Sequence, residues 1–364
     1  MPPFDETDAS MQRKALALIS GGLDSMLAAK LMLEQGIAVE GVNFYTGFCV
    51  EGHTHAIRAA AAAAARPKRN NALWVAETLG IRLHIVDVSE DYKRIVLHPQ
   101  HGYGAHLNPC LDCKIYMLNQ ASLFLNRARQ LADDAGMDFI VTGEVAGQRP
   151  KSQRRRYLPL VARESGVDDR VLRPLSAKLL EPTWAERQGW VDRERLYGFH
   201  GRSRQPQIAL AQRLGLADWS QPSGGCCFLT DESYSRKLKD LWSARGKRDY
   251  QLDDILMLKV GRHLRPRPHF KLIIAREEGE SYFLEGYRKE FTHLRPLQHK
   301  GALCLVDGEL QPQDYELAAR IVARYSQGRD ADAVDIGVFA GDESLAQLQV
   351  RPMAQDEIRQ EWYV

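Results

Sequence analysis

Several things are missing from this 364-residue chain. No apolar run approaches the roughly 20 residues that cross a bilayer, so no membrane-spanning helix and no membrane partner are expected. The first twelve residues carry Asp5, Glu6 and Asp8. They have neither the basic start nor the apolar centre of a signal peptide, and are read as a flexible N-terminus of a cytoplasmic protein. Cysteine is scarce, six residues in all, too few for a disulfide scaffold of this length. A surplus of one charge sign is also absent: 49 Lys and Arg stand against 47 Asp and Glu, a net charge of +2. There is no internal repeat, and low complexity is confined to the alanine run Ala59 to Ala65, which reads as helix. The 44% hydrophobic and 26% charged shares exclude a mostly disordered or collagen-like chain. At about 150 residues per domain, the length calls for two or three domains.

What is present is a strand and helix alternation. Lys14 to Ile19 is a short apolar run suited to a buried parallel strand, and Met26 to Gln35 is helical, with Leu27, Leu31 and Met32 on one face and Gly36 ending it. Further strands are predicted at Ala38 to Tyr45, Arg82 to Val88 and Asp138 to Thr142. Helices are predicted at Ala56 to Leu79, interrupted at Arg66-Pro67, and at Leu111 to Ala135. The pattern is irregular from about Val145 to Gln205 and helical again at Gln207 to Leu214. Such alternation implies an α/β fold, a doubly wound parallel sheet covered on both faces. After Asp231 the composition changes. Helices at Tyr234 to Ala244 and Tyr315 to Tyr325, with strands at Met257 to Val260, Lys271 to Ala275 and Tyr282 to Gly286, make a second, smaller α+β domain. The expected divisions are 1–12, 13–231 and 232–364.

Ser20-Gly21-Gly22-Leu23-Asp24-Ser25 falls between the first strand and the first helix, where parallel sheets bind ligands. Glycines allow close backbone approach to a phosphate, and a helix N-terminus supplies N–H groups and a positive dipole. Ser20 and Ser25 add hydroxyls, while Asp24 beside an anion calls for a bridging Mg²⁺. An ordinary strand-to-helix turn also uses Ser and Gly, and the composition by itself leaves that open.

The cysteines are clustered. Asn108-Pro109-Cys110-Leu111-Asp112-Cys113 precedes the long helix, where a helix N-terminus favours a thiolate. Ser223-Gly224-Gly225-Cys226-Cys227-Phe228 follows far along the chain. Three thiolates at one site could hold an iron–sulfur cluster with one iron open. Cys110 and Cys113 could equally be a redox pair, or zinc ligands with His101 or His106, and Cys226 and Cys227 could be packed small residues. Cys49 and Cys304 sit alone in apolar stretches and read as core.

The exact loop string resembles the pyrophosphate loop of the N-type ATP pyrophosphatases, which split ATP between the α and β phosphates. It differs from the Walker pattern. Asn108-Pro109-Cys110 and Ser223 to Phe228 resemble the two cysteine motifs of the tRNA-specific 2-thiouridylases. Thr142 to Gln148, with Ser152-Gln153 beyond, resembles the ATP-site segment of the tRNA 4-thiouridine synthases, and Leu172-Arg173-Pro174-Leu175 matches a strand end of both. The resemblance covers about residues 14–231. It implies an adenine nucleotide alpha-hydrolase-like fold and an ATP site of Ser20, Gly21, Gly22, Asp24, Ser25, Gly143, Glu144, Gln148 and Ser152. It implies catalysis by Asp24, Cys110, Cys113 and Cys227, with sulfur held as a Cys227 persulfide or on a [4Fe-4S] cluster of Cys110, Cys113 and Cys227. The third cysteine is carried onto Cys227 because Cys-Phe-Leu follows the family register, and Cys226 departs from that pattern as the substitute. The expected reaction is adenylation of a uridine carbonyl oxygen by ATP and its replacement by sulfur.

The resemblance also implies tRNA as partner. The 4-thiouridine synthases place an RNA-binding module before the ATP domain, and only about a dozen residues stand there in this chain. Basic runs are found instead at Arg149 to Arg156, Arg236 to Arg248 and Lys259 to Arg276. Arg154, Arg155, Lys259, Arg262, Arg265 and Arg267 are the expected phosphate contacts, with His263, His269 and Phe270 stacking on bases. Pro266 and Pro268 suggest that this segment is an exposed loop. A loose similarity to RNA-binding domains of ribosome-associated proteins points the same way. With no rhodanese-like segment, sulfur is expected from outside, a cysteine desulfurase or sulfide. Two basic domains would let a homodimer share one tRNA. The competing readings are an ATP-dependent ligase using nitrogen, for which no glutaminase segment is evident, and a non-catalytic RNA-binding protein on an ATPase fold.

Overall fold

The computed structural model describes residues 13–50, 70–131, 137–220 and 227–364, with only the backbone for 127–131. The N-terminus 1–12, residues 56–69 of the Ala-rich helix, 132–135 of the long helix, and Cys226 lie outside the described residues. Two compact units result. The first takes residues 13–46 and 70–220, and the second takes 47–50 and 227–364. The division is therefore not a single cut at 231: the stretch after the second strand, and Cys227, go with the C-terminal residues.

In the first unit the order is β1 (Lys14–Leu18), α1 (Leu23–Leu33), β2 (Ala38–Tyr45), α2 (Asn71–Leu79), β3 (Arg82–Asp87), α3 (Ser89–Leu97), α4 (Cys110–Leu131), β4 (Phe139–Val141), α5 (Tyr157–Glu164) and β5 (Val171–Leu172). Short α6 (Trp184–Arg187) and α7 (Gln205–Arg213) follow. The strands form one parallel sheet in the order β3-β2-β1-β4-β5. Its strands are short apolar runs because both faces are covered. Ala15, Ala17 and Val141 pack on one face with Met26 and Leu27 of α1 and Leu210 of α7. Leu16 and Ile140 pack on the other with Leu118 of α4 and Val161 of α5. This is the expected doubly wound sheet. From β1 the chain runs outward through β2 and β3, then returns to β4 on the other side of β1. The crevice beyond the carboxyl ends of β1 and β4 is therefore the topological switch point.

The second unit holds a six-stranded antiparallel sheet in the order β11-β10-β8-β9-β7-β6. Its strands are β6 (Arg262–Arg267), β7 (Phe270–Ile274), β8 (Thr292–Pro296), β9 (Cys304–Gly308), β10 (Val334–Ala340) and β11 (Glu343–Val350). Its helices are α8 (Glu232–Ala244), α9 (Leu252–Met257), α10 (Glu278–Glu285) and α11 (Tyr315–Arg324). The strands expected at 257–260 and 282–286 are the end of α9 with its following turn, and the end of α10. Short apolar runs do not distinguish the two states by period. A capping box, Gln251 with Asp254, starts α9. The segment around Pro266 is not a loop but edge strand β6, with Pro266 buried and Pro268 exposed at the turn. An edge strand tolerates the missing N–H. Among the described residues no helix is long and apolar enough to cross a membrane.

Candidate functional site

The Ser20 to Ser25 loop leaves β1 at the switch point. Gly21 has φ +77°, a left-handed conformation that glycine adopts at no steric cost. The Ser25 hydroxyl donates to Gly22 O at 2.8 Å, and Ser220 Oγ donates to Gly21 O at 2.6 Å, pinning the turn. Among the described residues no side chain caps α1 at Gly22, and the N–H groups of a helix start favour an anion.

Asp24 lies in a polar cluster. Its Oδ2 accepts from Gln148 Nε2 at 2.7 Å and from Arg204 at 3.2 Å, and Gln148 Oε1 accepts from Gln207 Nε2 at 2.8 Å. Asp24 Oδ1, Arg204 Nε and Gln207 Oε1 are buried with no hydrogen-bond partner among the described residues. Unmet polar capacity of this kind in a crevice is where a ligand would bind. Sequence reasoning found Asp24 and Gln148 but missed Arg204 and Gln207. One signal was available: Gln207 is a polar residue in the buried stripe Gln207, Leu210, Ala211 of α7. Gly143 follows β4 and meets this loop directly. A Cβ there would lie 2.4 Å from Asp24 C and from Ser25 N.

Glu144, expected at the nucleotide, sits in a buried ion-pair cluster. It is 4% exposed, and its Oε2 accepts from Arg173 Nε at 2.9 Å and from Thr142 Oγ1 at 3.3 Å, with Lys114 Nζ 3.5 Å from Oε1. Burial pushes its carboxyl up, but Lys114 and Arg173 outweigh it, and the net shift is downward. Arg173→Met should therefore strand a buried carboxylate and cost about 3–5 kcal/mol of stability at neutral pH, read as a lower denaturant midpoint. Because the folded carboxyl is depressed, the pair's contribution is full above the ordinary glutamate range and is lost as pH falls through the lowered folded value. The Arg173→Met penalty should shrink over that acidic window.

Cys110 opens α4, and its thiol donates to Ser152 Oγ at 2.9 Å, with Ser152 fully buried. Gly147 N–H donates to Gln153 O at 2.6 Å, closing the turn that carries Ser152. The segment 143–153 thus touches Asp24 through Gln148 and Cys110 through Ser152. Asp112 accepts from the backbone N–H groups of Gln100 and His101 and ties the 98–109 loop to α4. His101 is engaged by Glu164 at 2.7 Å. Among the described residues no group of three or more His, Cys, Asp and Glu side chains is placed to hold a metal ion. The zinc alternative therefore has no support there. The described cysteines do not by themselves make a cluster site, and Cys226 lies outside the described residues.

Cys304 is core, as expected, and burial pushes its thiol well up. Cys49 is not core. It is half-buried, and an antiparallel bridge sets it opposite Cys227.

The expected RNA contacts separate into two groups. Arg154, Arg155 and Arg267 are exposed, and Arg262 lies over the Tyr325 ring at 4.9 Å. Arg265 is held by Asp240 at 2.6 and 2.8 Å, and Lys259 is only 6% exposed, so neither stands ready for phosphate. His263 and Phe270 are buried and cannot stack on a base, while His269 is bound to Asp314 at 2.8 Å. Lys237 and Lys271 of the basic runs are also buried. Arg236, Lys239, Lys247 and Arg248 are exposed on and just after α8. Runs that look uniform in sequence split because α8 turns Tyr234, Lys237, Leu238 and Leu241 inward. Burial lowers the Lys237 ammonium to about 8. The unfolded chain then holds this proton between about pH 8 and the ordinary lysine value near 10.4 while the folded one does not, so Lys237 makes stability rise with pH there. Lys237→Met should flatten that rise in urea unfolding.

Comparisons with known proteins follow this division. Residues 13–168 match the family model described as tRNA methyl transferase HUP domain, and residues 261–363 match the NFACT protein RNA binding domain. The tRNA-specific 2-thiouridylase MnmA of Symbiobacterium thermophilum is 28% identical over 241 residues, covering 63% of this chain and 55% of that protein. That of Roseiflexus sp. is 28% identical over 259 residues, covering 69% and 66%. The chain thus spans less than two thirds of the length of these relatives. A solved 4-thiouridine synthetase–RNA complex with bound ATP is 22% identical, covers 56% of this chain and 41% of that one, and superposes with a TM-score of 0.35.

Proposed function

We propose that this chain, a relative of the PP-loop tRNA thiolation enzymes through its first unit, is an ATP-dependent tRNA sulfurtransferase that makes thiouridine. One observation carries the reading: the 143–153 turn is shared by the Asp24 carboxylate of the phosphate loop and the Cys110 thiol. The loop N–H groups and the N-terminus of α1 take the phosphates of ATP. Asp24 Oδ1 offers a hard oxygen that fits Mg²⁺, which keeps phosphate and water ligands besides one or two carboxylates and would neutralise charge as pyrophosphate leaves. Arg204 and Gln207 orient Asp24 and Gln148.

The uridine carbonyl is a poor leaving group. Its oxygen attacks the α-phosphate, pyrophosphate departs, and sulfur then displaces AMP from the activated carbon. Cys227 carries that sulfur as a persulfide, formed when its thiolate takes the outer sulfur from the persulfide of a cysteine desulfurase and leaves the donor's thiol behind, and Cys110 lies on the nucleotide-binding unit. A [4Fe-4S] cluster on Cys110, Cys113 and Cys227 or Cys226 is the other form of sulfur carriage. It is tested by iron and labile sulfide in anaerobically purified protein. The RNA is gripped by the second unit, where residues 261–363 match an RNA-binding family, with the exposed Arg236, Lys239, Lys247, Arg248 and Arg267 as phosphate contacts. Neutralising Arg236 and Lys239 together should weaken tRNA binding and reduce its salt slope by about 2.

Purified protein incubated with ATP, Mg²⁺, a cysteine desulfurase with cysteine, a dithiol reductant and unmodified tRNA should yield a thiolated nucleoside by mass spectrometry, with one AMP per sulfur. ATP turnover that gives no thionucleoside, but does consume ammonia, would move the reading to the nitrogen-using ligases. No turnover with intact tRNA binding would move it to a non-catalytic RNA-binding protein.

A further inference from the structure

Residues 47–50 depart from the first unit and lie with residues 227–364. Within that second unit Cys49 faces Cys227 across an antiparallel bridge. The next pair in register is Phe48 with Phe228, and Phe228 N–H donates to Phe48 O at 2.9 Å. Hydrogen-bonded and non-hydrogen-bonded pairs alternate along such a ladder. Phe48 and Phe228 are therefore the hydrogen-bonded pair and Cys49 and Cys227 the other kind. Residues in that kind of pair have Cα atoms about 4.5 Å apart and their side chains close, within the roughly 4.4–6.8 Å range of cystines. The backbone of Cys227 is fully extended, with φ −151° and ψ 161°. Both residues are half-buried.

A cation is built in beside them. Lys259 Nζ donates to Gly47 O at 2.5 Å and lies 5.1 Å from the centre of the Phe228 ring. The ammonium thus lies against Gly47 and Phe228, which stand two residues before Cys49 and one after Cys227. A nearby cation stabilises a thiolate, the form that attacks a disulfide or persulfide sulfur.

We propose that Cys49 is the resolving thiol for sulfane sulfur carried on Cys227, the two forming a cross-strand dithiol–disulfide couple. This rests on the reading of Cys227 as the sulfur carrier. The Cys49 thiolate attacks the Sγ of the Cys227 persulfide. The bond from Sγ to the outer sulfur breaks, and that sulfur leaves with the electron pair as hydrosulfide. The outer sulfur is reduced, and the two cysteines are oxidised to a Cys49–Cys227 disulfide. Hydrosulfide released here is the nucleophile that displaces AMP. An external dithiol then reduces the disulfide, becoming a disulfide itself, and restores both thiols. Lys259 is a positioning residue: it ties Gly47 to the second unit and sets its charge beside the reacting sulfurs.

The test uses the full chain loaded with sodium polysulfide, freed of excess reagent and held without reductant. The parent protein should release hydrosulfide. A non-reducing peptide map, made in a Cys226→Ser background so that the link is unique, should join the Cys49 and Cys227 peptides. Cys49→Ser should keep the persulfide on Cys227 by mass yet release hydrosulfide at least about tenfold more slowly. Cys304→Ser should match the parent, and Cys49→Ala should behave as Cys49→Ser. Lys259→Met should slow release, with Lys259→Arg recovering part of it. Unchanged release from both Cys49 variants, or a Cys227 peptide joined to Cys110 or Cys113, overturns the proposal. If Cys227 accepts no sulfane sulfur at all, the carrier reading falls with it. If Cys227 loads normally and Cys49 proves dispensable, only the resolving step falls.

Discussion

Gly143→Ala is expected to remove most ATP-dependent turnover while leaving the second unit folded. The added Cβ would stand 2.4 Å from Asp24 C and Ser25 N, both backbone atoms, so no side chain can swing aside to admit it. Either the segment after β4 or the first turn of α1 must move by the order of 1 Å to restore van der Waals contact. Displacements of that size near reacting groups cost about 10²-fold in rate. Overpacking adds a stability cost of about 1–3 kcal/mol. The measurement is pyrophosphate release with saturating tRNA, beside circular dichroism and a denaturant midpoint. Full turnover by a folded Gly143→Ala protein would mean that the crevice between β1 and β4 is not where ATP reacts.

Cys227→Ser should remove thiolation by about a thousandfold or more, because a hydroxyl cannot carry sulfane sulfur. The two steps should separate. AMP-forming adenylation, followed by exchange of labelled pyrophosphate into ATP, should survive in Cys227→Ser within a few-fold, because that residue is assigned to sulfur carriage alone. Loss of exchange together with thiolation would instead make Cys227 part of the nucleotide site. Cys304→Ser should keep thiolation, since that thiol is buried in β9 and faces the core of the second unit. Normal thiolation by Cys227→Ser would end the carrier assignment.

The Ser20 to Ser25 turn was legible because its geometry is local. Strand, glycines, hydroxyls and helix start occupy consecutive residues, and the structure adds the positive φ of Gly21. The position of Cys110 and Cys113 at the start of α4 was legible for the same reason. Gln207 could have been noticed as a polar residue in an apolar stripe, but nothing near it in the chain shows that it meets Gln148. The basic runs were misleading at Lys259, Arg265 and Lys271. A run of charges reports composition, while exposure depends on which side of β6, β7 or α8 meets the core. Asp240 illustrates this: it binds both Arg265 and Lys271, and each partner is many residues away.

From its residues alone the chain declared a doubly wound sheet with a glycine turn between its first strand and first helix, and a separate α+β domain. Those features are written in neighbouring residues, where period, propensity and turn chemistry act over a few positions. Only the tertiary structure set Cys49 opposite Cys227, sank Lys259 beside them and gathered Arg204 and Gln207 around Asp24. Strand pairing and burial join segments far apart in sequence, and the free energy that selects them belongs to the packed whole rather than to any local stretch.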